Sequence, residues 1–322
     1  MICLCCGRKI TAETDSVEYQ YGWHRNCIRR FFGTDTFPDI DLSERALKSL
    51  VDQNVNKGLT VPGVQKKLSL HLDVSSGARL TLVNYPTGYI LKPQTEEYEN
   101  LPEYEQMAMH MADIAGIKTV PHALIRMNGT FAYITRRIDR KLTDHSTELL
   151  AMEDFCQLSG RLTVDKYKGS YESCGRIIRK YSEYEGFDLS EMFLRVVFAF
   201  LIGNSDMHLK NFSLIENAPG ARKYHLSEAY DILPVNVVLK SDPDQMALTV
   251  HGKKRNIHRN DFLALAQNCG ISRKAAENMI RSILKKKGEI VDQCDTAMLS
   301  DDQKNEVREL IEARADILGN AD

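Results

Sequence analysis

A short polar segment between two apolar stretches contains the residues best suited to chemistry. It includes Asp206 and Asn211, follows Phe200–Gly203 and leads into the mostly apolar strand that begins Phe212-Ser-Leu. Asp206 and Asn211 have the D-x-x-x-x-N spacing in which a carboxylate accepts the proton of a substrate hydroxyl and a carboxamide binds Mg²⁺. Asp231 supplies a second carboxylate after a short strand. This set predicts phosphoryl transfer, because a metal must neutralise the phosphates while another group orients the nucleophile.

An isolated D-x-x-x-x-N pattern is more often a pair of loop and capping residues. A catalytic role is therefore indicated only if other parts of the sequence also have kinase-like features. Lys92 ends an apolar strand, and Glu105 lies thirteen residues further on in the first turns of a helix. That is the order of the phosphate-binding lysine and its helix partner in protein kinases. Upstream, residues 60–67 form a turn whose backbone N–H groups could cradle phosphate. This turn lacks G-x-G-x-x-G, and an ordinary turn is the alternative.

The hydrophobic pattern indicates which elements position these residues. Apolar residues alternate with polar ones over 68–74 and 80–82, and 88–92 is a short apolar run, so three strands are predicted. Helical spacing over 104–115 predicts a helix that ends at Gly116. The dipeptide Asn128-Gly129 predicts a hairpin of strands 123–127 and 131–135. Ser43 is predicted to cap an earlier helix.

Beyond about residue 140 the pattern becomes mostly helical. Helical spacing occurs near 152–160, 189–203, 261–268, 273–287 and 302–317, and short strands such as 212–215 interrupt it. The predicted class is therefore α+β, with a mixed sheet first and a helical half second. A cleft between two unlike lobes is the expected ligand site.

The composition limits the classes of function. The 322 residues correspond to about two domains, and the net charge of −2 provides no global basic field for nucleic acid or membranes. The longest apolar stretch, Val196–Ile202, is far shorter than the ~20 residues that span a bilayer, and no signal-peptide pattern is seen, so a cytoplasmic protein is expected.

Several segments, taken in order, resemble the motifs of the HipA-like serine/threonine kinase toxins of bacteria. The segments are Gly63-Val-Gln-Lys-Lys-Leu-Ser, Tyr89-Ile-Leu-Lys-Pro, Leu101-Pro-Glu-Tyr-Glu, Thr135-Arg-Arg-Ile-Asp-Arg, Phe200-Leu-Ile-Gly-Asn-Ser-Asp-Met-His-Leu-Lys-Asn-Phe-Ser-Leu and Ala229-Tyr-Asp-Ile-Leu. The resemblance runs from about residue 55 to the end. It implies a two-lobed kinase-like fold, ATP and Mg²⁺ as cofactors, and a toxin that phosphorylates a host protein such as an aminoacyl-tRNA synthetase.

The resemblance also implies roles for individual residues. Asp206 corresponds to the catalytic aspartate, Asn211 and Asp231 to the magnesium ligands, and Lys92 to the nucleotide-binding lysine. The remaining matches are His208 and Lys210 in the catalytic motif, Gly63 and Lys67 in the phosphate loop, Glu105 as the lysine partner, and Arg136 to Ile138 as the hinge that holds adenine through its backbone. Thr60 stands where the family carries a regulatory serine, and autophosphorylation is expected there.

The same resemblance suggests the organisation and partners of the protein. The predicted divisions are a Cys/His element over 1–40, a kinase-like N-lobe over 41–140 and a helical C-lobe over 141–322. Longer family members have an N-terminal subdomain where this sequence has only about fifty residues, so a separate small protein is expected to supply it or it is absent. A HipB-like DNA-binding antitoxin is also implied, which would make contact with DNA indirect.

The N-terminal cysteines suggest a metal. Four of the eight cysteines lie in the first 27 residues, which favours a local site over disulfides. Cys3 and Cys6 form one pair and His24 and Cys27 another, a pattern that can bind one Zn²⁺ tetrahedrally, with Cys5 as a substitute ligand. Some short HipA-like proteins begin with a similar stretch. The alternative is a reduced, metal-free cluster packed under Trp23 and Phe31.

The sequence bears on three other functions. A catalytically dead binding protein is disfavoured because Lys92, Asp206, Asn211 and Asp231 are all present. A zinc-dependent nucleic-acid regulator is disfavoured by the nearly neutral charge. A small-molecule kinase stays open, because the same machinery serves both kinds of acceptor and no sequence feature identifies the acceptor.

Overall fold

The computed structural model describes residues 1–11, 16–40, 67–73, 77–81, 88–142 and 147–320. The chain divides into two compact units. The first consists of Met1–Gln106 and Val120–Thr147, and the second of Met107–Thr119 and Glu148–Asp322. The predicted helix after Ser43 and the loop residues Thr60 and Gly63 lie outside the described residues.

The first unit contains a six-stranded sheet in the order β1-β3-β2-β4-β6-β5. β1 and β3 are parallel, and the other neighbours are antiparallel. The strands are β1 Asp39–Ile40, β2 Leu68–Asp73, β3 Arg79–Thr81, β4 Tyr89–Pro93, β5 His122–Met127 and β6 Thr130–Arg136. The predicted hairpin is confirmed: Asn128 and Gly129 both have positive φ, 48° and 82°, as a two-residue turn of this kind requires.

Two helices form at the N-terminus, α1 (Ser16–Tyr21) and α2 (Arg25–Phe32), and Trp23 and α2 contact this sheet. Trp23 between them is fully buried and contacts the rings of Phe31 and Phe32. Its indole N–H donates to the carbonyl of Leu124 in β5 at 3.0 Å, and the hydroxyl of Tyr89 donates to the carbonyl of Phe31. Large aromatic side chains bury much apolar surface, so they fix this segment to the sheet.

The helix predicted over 104–115 is present as α3, Leu101–Ala115. Its buried residues include Tyr104, Ala108 and Met111, which lie three or four positions apart as predicted. The helix ends at Gly116, whose φ of 93° is accessible to glycine and strained for other residues.

The second unit is mostly helical, as predicted. Besides the part of α3 after Gln106, its helices are α4 Phe155–Leu158, α5 Tyr171–Tyr181, α6 Glu185–Leu201, α7 Val235–Val238, α8 Arg259–Asn268, α9 Arg273–Lys285, α10 Lys287–Thr296 and α11 Asp301–Gly319. Phe193, Phe198 and Phe200 of α6 are almost completely buried, and Phe200 packs edge-on against Phe262 of α8. The helix α6 is therefore the core of this unit.

Short strands complete the chain. β7 is Arg140–Leu142 and β8 is Thr147–Leu149. An antiparallel sheet in the order β11-β10-β9 contains β9 Met152–Asp154, β10 Ser213–Glu216 and β11 Tyr224–Leu226. The helical prediction for 152–160 was thus wrong in its first part, because residues 152–154 pair with β10 instead.

None of the helices in the described ranges has both the length and the apolar character needed to cross a membrane.

Candidate active site

The polar loop begins where α6 ends, and Gly203 makes the turn between them. Its φ is +72°, and a Cβ atom there would lie 2.4 Å from Cδ2 of Leu310 and 3.3 Å from Cβ of Asn236. The backbone N–H of Asn236 also donates to the carbonyl of Gly203 at 2.9 Å. The turn therefore needs a residue that has no side chain and tolerates left-handed backbone.

We expect Gly203→Ala to lower the free energy of unfolding by about 2–3 kcal/mol, because left-handed backbone costs alanine about 1–2 kcal/mol and crowding adds about 1 kcal/mol or more. Gly220→Ala is the matched control, since Gly220 has a φ of +73° but nothing within 4 Å of the added atom. Chemical denaturation of both variants measures the difference. Equal losses would show that the contacts with Leu310 and Asn236 do not matter.

The loop after Gly203 is fixed by its own hydrogen bonds. The side-chain oxygen of Asn204 accepts the backbone N–H of Asp206 at 3.2 Å, and Ser205 Oγ donates to Asp242 Oδ2 at 2.6 Å. The hydroxyl of Tyr171 in α5 donates to the carbonyl of Met207 at 2.8 Å. These bonds hold the backbone while the Asp206 side chain stays 46% exposed, as a group that meets a substrate must be.

The Asp206 carboxylate has two close neighbours. The hydroxyl of Tyr167 donates to its Oδ1 at 2.5 Å, and Nε2 of His208 lies 4.0 Å from its Oδ2. Burial lowers the pKa of His208, and the charge of Asp206 opposes this only in part, so the imidazole is neutral at neutral pH. Tyr167 is a site residue that the sequence analysis missed.

Asn211 and Asp231 meet at the other end of the loop. The side-chain amide of Asn211 donates to the backbone carbonyl of Asp231 at 3.3 Å. Its Oδ1 is buried and has no hydrogen-bond partner within the described part of the chain. Asp231 has a φ of 62°, a conformation that aspartate adopts at some cost in strain. A buried acceptor without a donor and a strained residue beside it are both typical of a site built for a ligand.

Lys210 forms an ion pair with Asp154, a residue outside the loop. Its Nζ contacts Oδ2 of Asp154 at 2.5 Å, and Asp154 also caps α4 by accepting the backbone N–H of Gln157. The carbonyl of Lys210 accepts the hydroxyl of Tyr230 at 3.0 Å. The structure therefore gives Lys210 a role in fixing the loop, and Asp154 is a partner that the motif did not reveal.

In the first unit, the structure brings Lys92 and Glu105 together. Lys92 Nζ lies 2.5 Å from Oε1 of Glu105, and the two side chains are only 4% and 0% exposed. The ammonium also lies over the ring of Tyr133, 5.3 Å from its centre. A buried, paired lysine at the end of β4 is the arrangement expected from the sequence order.

The other predicted nucleotide contacts are described in part. Lys67 is exposed at the start of β2. Arg136 ends β6 and its backbone N–H donates to Pro121, and Ile138 is partly buried beside the ion pair of Arg137 and Asp139. Thr60 and Gly63 lie outside the described residues, so their roles stay predictions.

The four N-terminal residues predicted as metal ligands converge. One side-chain donor atom of each of Cys3, Cys6, His24 and Cys27 lies within 4.8 Å of the other three. The Sγ atoms of Cys3 and Cys27 are 3.9 Å apart, and Cys6 Sγ lies 3.4 Å from His24 Nδ1. No disulfide forms among the eight cysteines, all of which belong to the described ranges. The cluster can therefore hold a metal ion.

The solved structures that resemble this chain include the following two. One is a HipA toxin from Shewanella oneidensis MR-1, solved with HipB and its operator DNA, with a TM-score of 0.67, 18% identity, and coverage of 85% of this chain and 73% of the other. The second is the Helicobacter pylori proinflammatory kinase CtkA, with a TM-score of 0.55, 18% identity, and coverage of 78% and 93%. At these identities the likeness shows the fold, and the predicted kinase-like α+β fold is confirmed.

Sequence relatives carry kinase names. The putative kinase Y4dM of Sinorhizobium fredii is 30% identical over 79% of this chain and 63% of its own length. A putative kinase of Haemophilus influenzae is 28% identical over 62% of this chain and 59% of its own length. The chain thus spans less than two thirds of the length of these relatives. Residues 59–291 match the HipA-like C-terminal domain, and the chain therefore belongs to this family.

Proposed function

We propose that the protein is a serine/threonine protein kinase that transfers the γ-phosphoryl group of ATP and depends on Mg²⁺. The observation that supports this most is the pairing of Asn211 with Asp231. The amide of Asn211 is anchored on the backbone of Asp231, and its oxygen is buried with no hydrogen-bond partner among the described residues. A side chain held in this way is ready to bind a cation.

The donor atoms at this place suit magnesium. Mg²⁺ binds through one or two carboxylates with further oxygen ligands, and Asp231 and Asn211 provide a carboxylate and a carboxamide oxygen. When bound, the ion would neutralise charge on the phosphates. The backbone of Asp231 is strained, with a φ of 62°. This supports the proposal because strained residues are concentrated at active sites and ligand-binding sites, where the surrounding structure holds them.

Asp206 would orient the acceptor hydroxyl. Its carboxylate is the exposed acidic group of the loop, and the neutral His208 behind it adds no positive charge that would reduce its basicity. Tyr167 donates to one oxygen of Asp206, so the acceptor would use the other oxygen or displace the tyrosine. Lys210, held by Asp154, would keep the loop in place.

Lys92 would contact the phosphates of ATP, and Glu105 would hold Lys92 in position. Their buried ion pair at 2.5 Å is the support for these roles. Gly63 and Lys67 would contribute to the phosphate loop, and the backbone between Arg136 and Ile138 would hold the adenine. Because backbone groups make that last contact, the side chains there are not restricted.

The biological role is proposed on the same basis. We infer a toxin that acts in the cytoplasm on a host protein, such as an aminoacyl-tRNA synthetase, and that autophosphorylates on Thr60. A HipB-like antitoxin would restrain it and provide the contact with DNA. The solved HipA relative was crystallised with HipB and operator DNA, which supports the pairing.

A labelling experiment tests the proposal. The protein and its Asp206→Ala variant are incubated with labelled ATP, Mg²⁺ and a lysate of the host, and labelled molecules are identified. We expect labelled protein bands and a phosphate on Thr60 by mass spectrometry, both at least about a hundredfold weaker in the variant. Expression of the active protein alone should arrest growth, and expression of the variant should not.

Three outcomes would contradict parts of the proposal. Label only in small molecules would identify a small-molecule kinase, and equal label in both proteins would exclude Asp206 from catalysis. ATP consumption with an unmodified Thr60 would remove the autophosphorylation step alone.

A further inference from the structure

The turn between Cys3 and Cys6 of the Cys/His cluster contacts the helix that carries the partner of Lys92. We propose that Cys3, Cys6, His24 and Cys27 bind one zinc ion, and that the turn held by this ion positions α3 through Gln106, the residue next to Glu105. The zinc ion would then support the Lys92–Glu105 pair. The consequence for ATP rests on the proposed function, and the metal site and its contact with α3 do not.

The distances within the cluster match a zinc site. Zinc lies about 2.3 Å from sulfur and about 2.0–2.1 Å from nitrogen, so a tetrahedron places two sulfurs about 3.8 Å apart and a sulfur and nitrogen about 3.6 Å apart. The observed distances are 3.9 Å for Cys3 and Cys27 and 3.4 Å for Cys6 and His24. Three thiols and one imidazole are a complete ligand set for structural zinc, and all four donor atoms lie within 4.8 Å of one another.

The backbone around the cluster supports thiolate ligands. The N–H of His24 lies 3.4 Å from Sγ of Cys3 and donates to it, an interaction that stabilises negative charge on sulfur. The N–H of Gly7 donates to the carbonyl of Cys3 at 2.9 Å and closes the turn that holds Cys3 and Cys6. His24 and Cys27 lie at the start of α2, so the second ligand pair is also rigid.

The turn between Cys3 and Cys6 reaches both α3 and the sheet. The carbonyl of Leu4 accepts the N–H of Leu124 in β5 at 2.9 Å. The side-chain amide of Gln106 donates to the carbonyls of Leu4 and Cys5, at 3.4 Å each. Its oxygen pairs with Nδ1 of His122 at 2.9 Å. Gln106 thus links the ligand turn to α3 and β5.

This link ends beside the ion pair. Gln106 is 5% exposed and Glu105 is completely buried, so neither side chain can move without its surroundings. If the ligand turn loses its shape, the Gln106 amide loses two of its hydrogen-bond acceptors, and the first turns of α3 lose one of their fixed points. The orientation of Glu105 toward Lys92 depends on those turns.

Metal content tests the first half of the proposal. The full chain, purified without chelators, should contain about one zinc per chain by elemental analysis, and Cys27→Ser should contain less than about a tenth of that. Cys5→Ser, in the same turn but outside the four ligands, and Cys294→Ser, in α10, should keep the zinc. A wild-type protein without zinc, or loss of zinc from Cys5→Ser but not from Cys27→Ser, would overturn the assignment.

Hydrogen exchange tests the second half without any use of activity. Removal of zinc should speed amide exchange in residues 101–106, and one equivalent of zinc, but not of magnesium, should restore protection. Exchange in α9 serves as the internal control and should not change. Unchanged exchange over 101–106 in protein that has lost its zinc would overturn the link through Gln106.

The Gln106→Leu variant separates this inference from the proposed function. It should keep one zinc, show faster exchange over 101–106, and bind ATP about fivefold more weakly, the range of an ordinary coupling between sites. Unchanged exchange in this variant would contradict the role of Gln106. If exchange responds but no form of the protein binds ATP, the proposed kinase function fails and the zinc link survives.

Discussion

The Asp231→Asn protein is expected to bind ATP and Mg²⁺ about tenfold more weakly or worse, whereas Asp206→Asn is expected to bind them normally and to transfer almost no phosphate. The difference follows from the two positions. Asp231 sits against the buried Asn211 amide and would provide the charge that attracts the cation, so its loss affects binding. Asp206 is the exposed carboxylate that would orient the acceptor, and losing such a group typically costs about 10²–10⁴-fold in rate.

Calorimetry with ATP and Mg²⁺ measures the binding, and a phosphorylation assay measures the rate. Asp242→Asn is the matched control, because it removes one charge from a carboxylate that contacts the same loop through Ser205. It should change neither quantity by more than about twofold, since the amide oxygen can accept the N–H of Asp244 while the amide NH₂ donates to the Ser205 hydroxyl. Normal ATP and Mg²⁺ binding by Asp231→Asn would reverse the roles of the two aspartates.

The parts of the site that the sequence predicted are those defined by short spacing or by order along the chain. Lys92 at the end of a strand and Glu105 early in the next helix were identified from their order, and the structure pairs them. Asp206 and Asn211 were identified from their spacing within one loop. Such patterns are visible because each is set by local structure.

The parts that were missed depend on contacts between distant residues. Tyr167 lies 39 residues before Asp206, and Asp154 lies 56 residues before Lys210. No spacing rule relates them. Gln106 was missed because its sequence position shows only a polar residue on a mostly buried helix. Its hydrogen bonds to the carbonyls of Leu4 and Cys5 are evident only from the structure.

The secondary-structure predictions also depend on whether an element is set by local sequence or by distant contacts. The strand β9 was taken for helix because its pairing with β10 is not local. The helix α5 was not predicted, although a local signal was present: Ser170 and Ser173 form a reciprocal cap at its start. The buried residues Cys174, Ile177 and Ile178 also have helical spacing.

Breaking the Lys92–Glu105 pair is expected to lower the stability of the protein strongly. This effect can be separated from the effect on ATP binding. Both side chains are almost completely buried, so Glu105→Leu or Lys92→Met alone leaves a buried charge without its partner in this pair. Such a loss costs about 3–5 kcal/mol, whereas replacing both members with apolar residues is often neutral or stabilising. The double variant should therefore recover most of the stability that each single variant loses.

Trp23 provides the measurement for this comparison. It is the one tryptophan of the sequence, it is fully buried, and it lies in the same unit as the ion pair, so its fluorescence during urea denaturation reports the unfolding of that unit. Asp35→Asn is the control for loss of a surface ion pair in the same unit. Its partner Arg29 is 60% exposed, and such a pair contributes about 0.2–1 kcal/mol.

In the double variant, the affinity for ATP should not recover together with the free energy of unfolding. If Lys92 contacts the phosphates, the double variant should be folded and stable but bind ATP as poorly as Lys92→Met. Recovery of ATP affinity together with stability would show that the pair only supports the fold and that Lys92 does not contact the nucleotide. Recovery of neither would mean that the apolar pair packs badly, and a Lys92→Leu/Glu105→Met protein, with the two side-chain shapes exchanged, would then separate packing from charge.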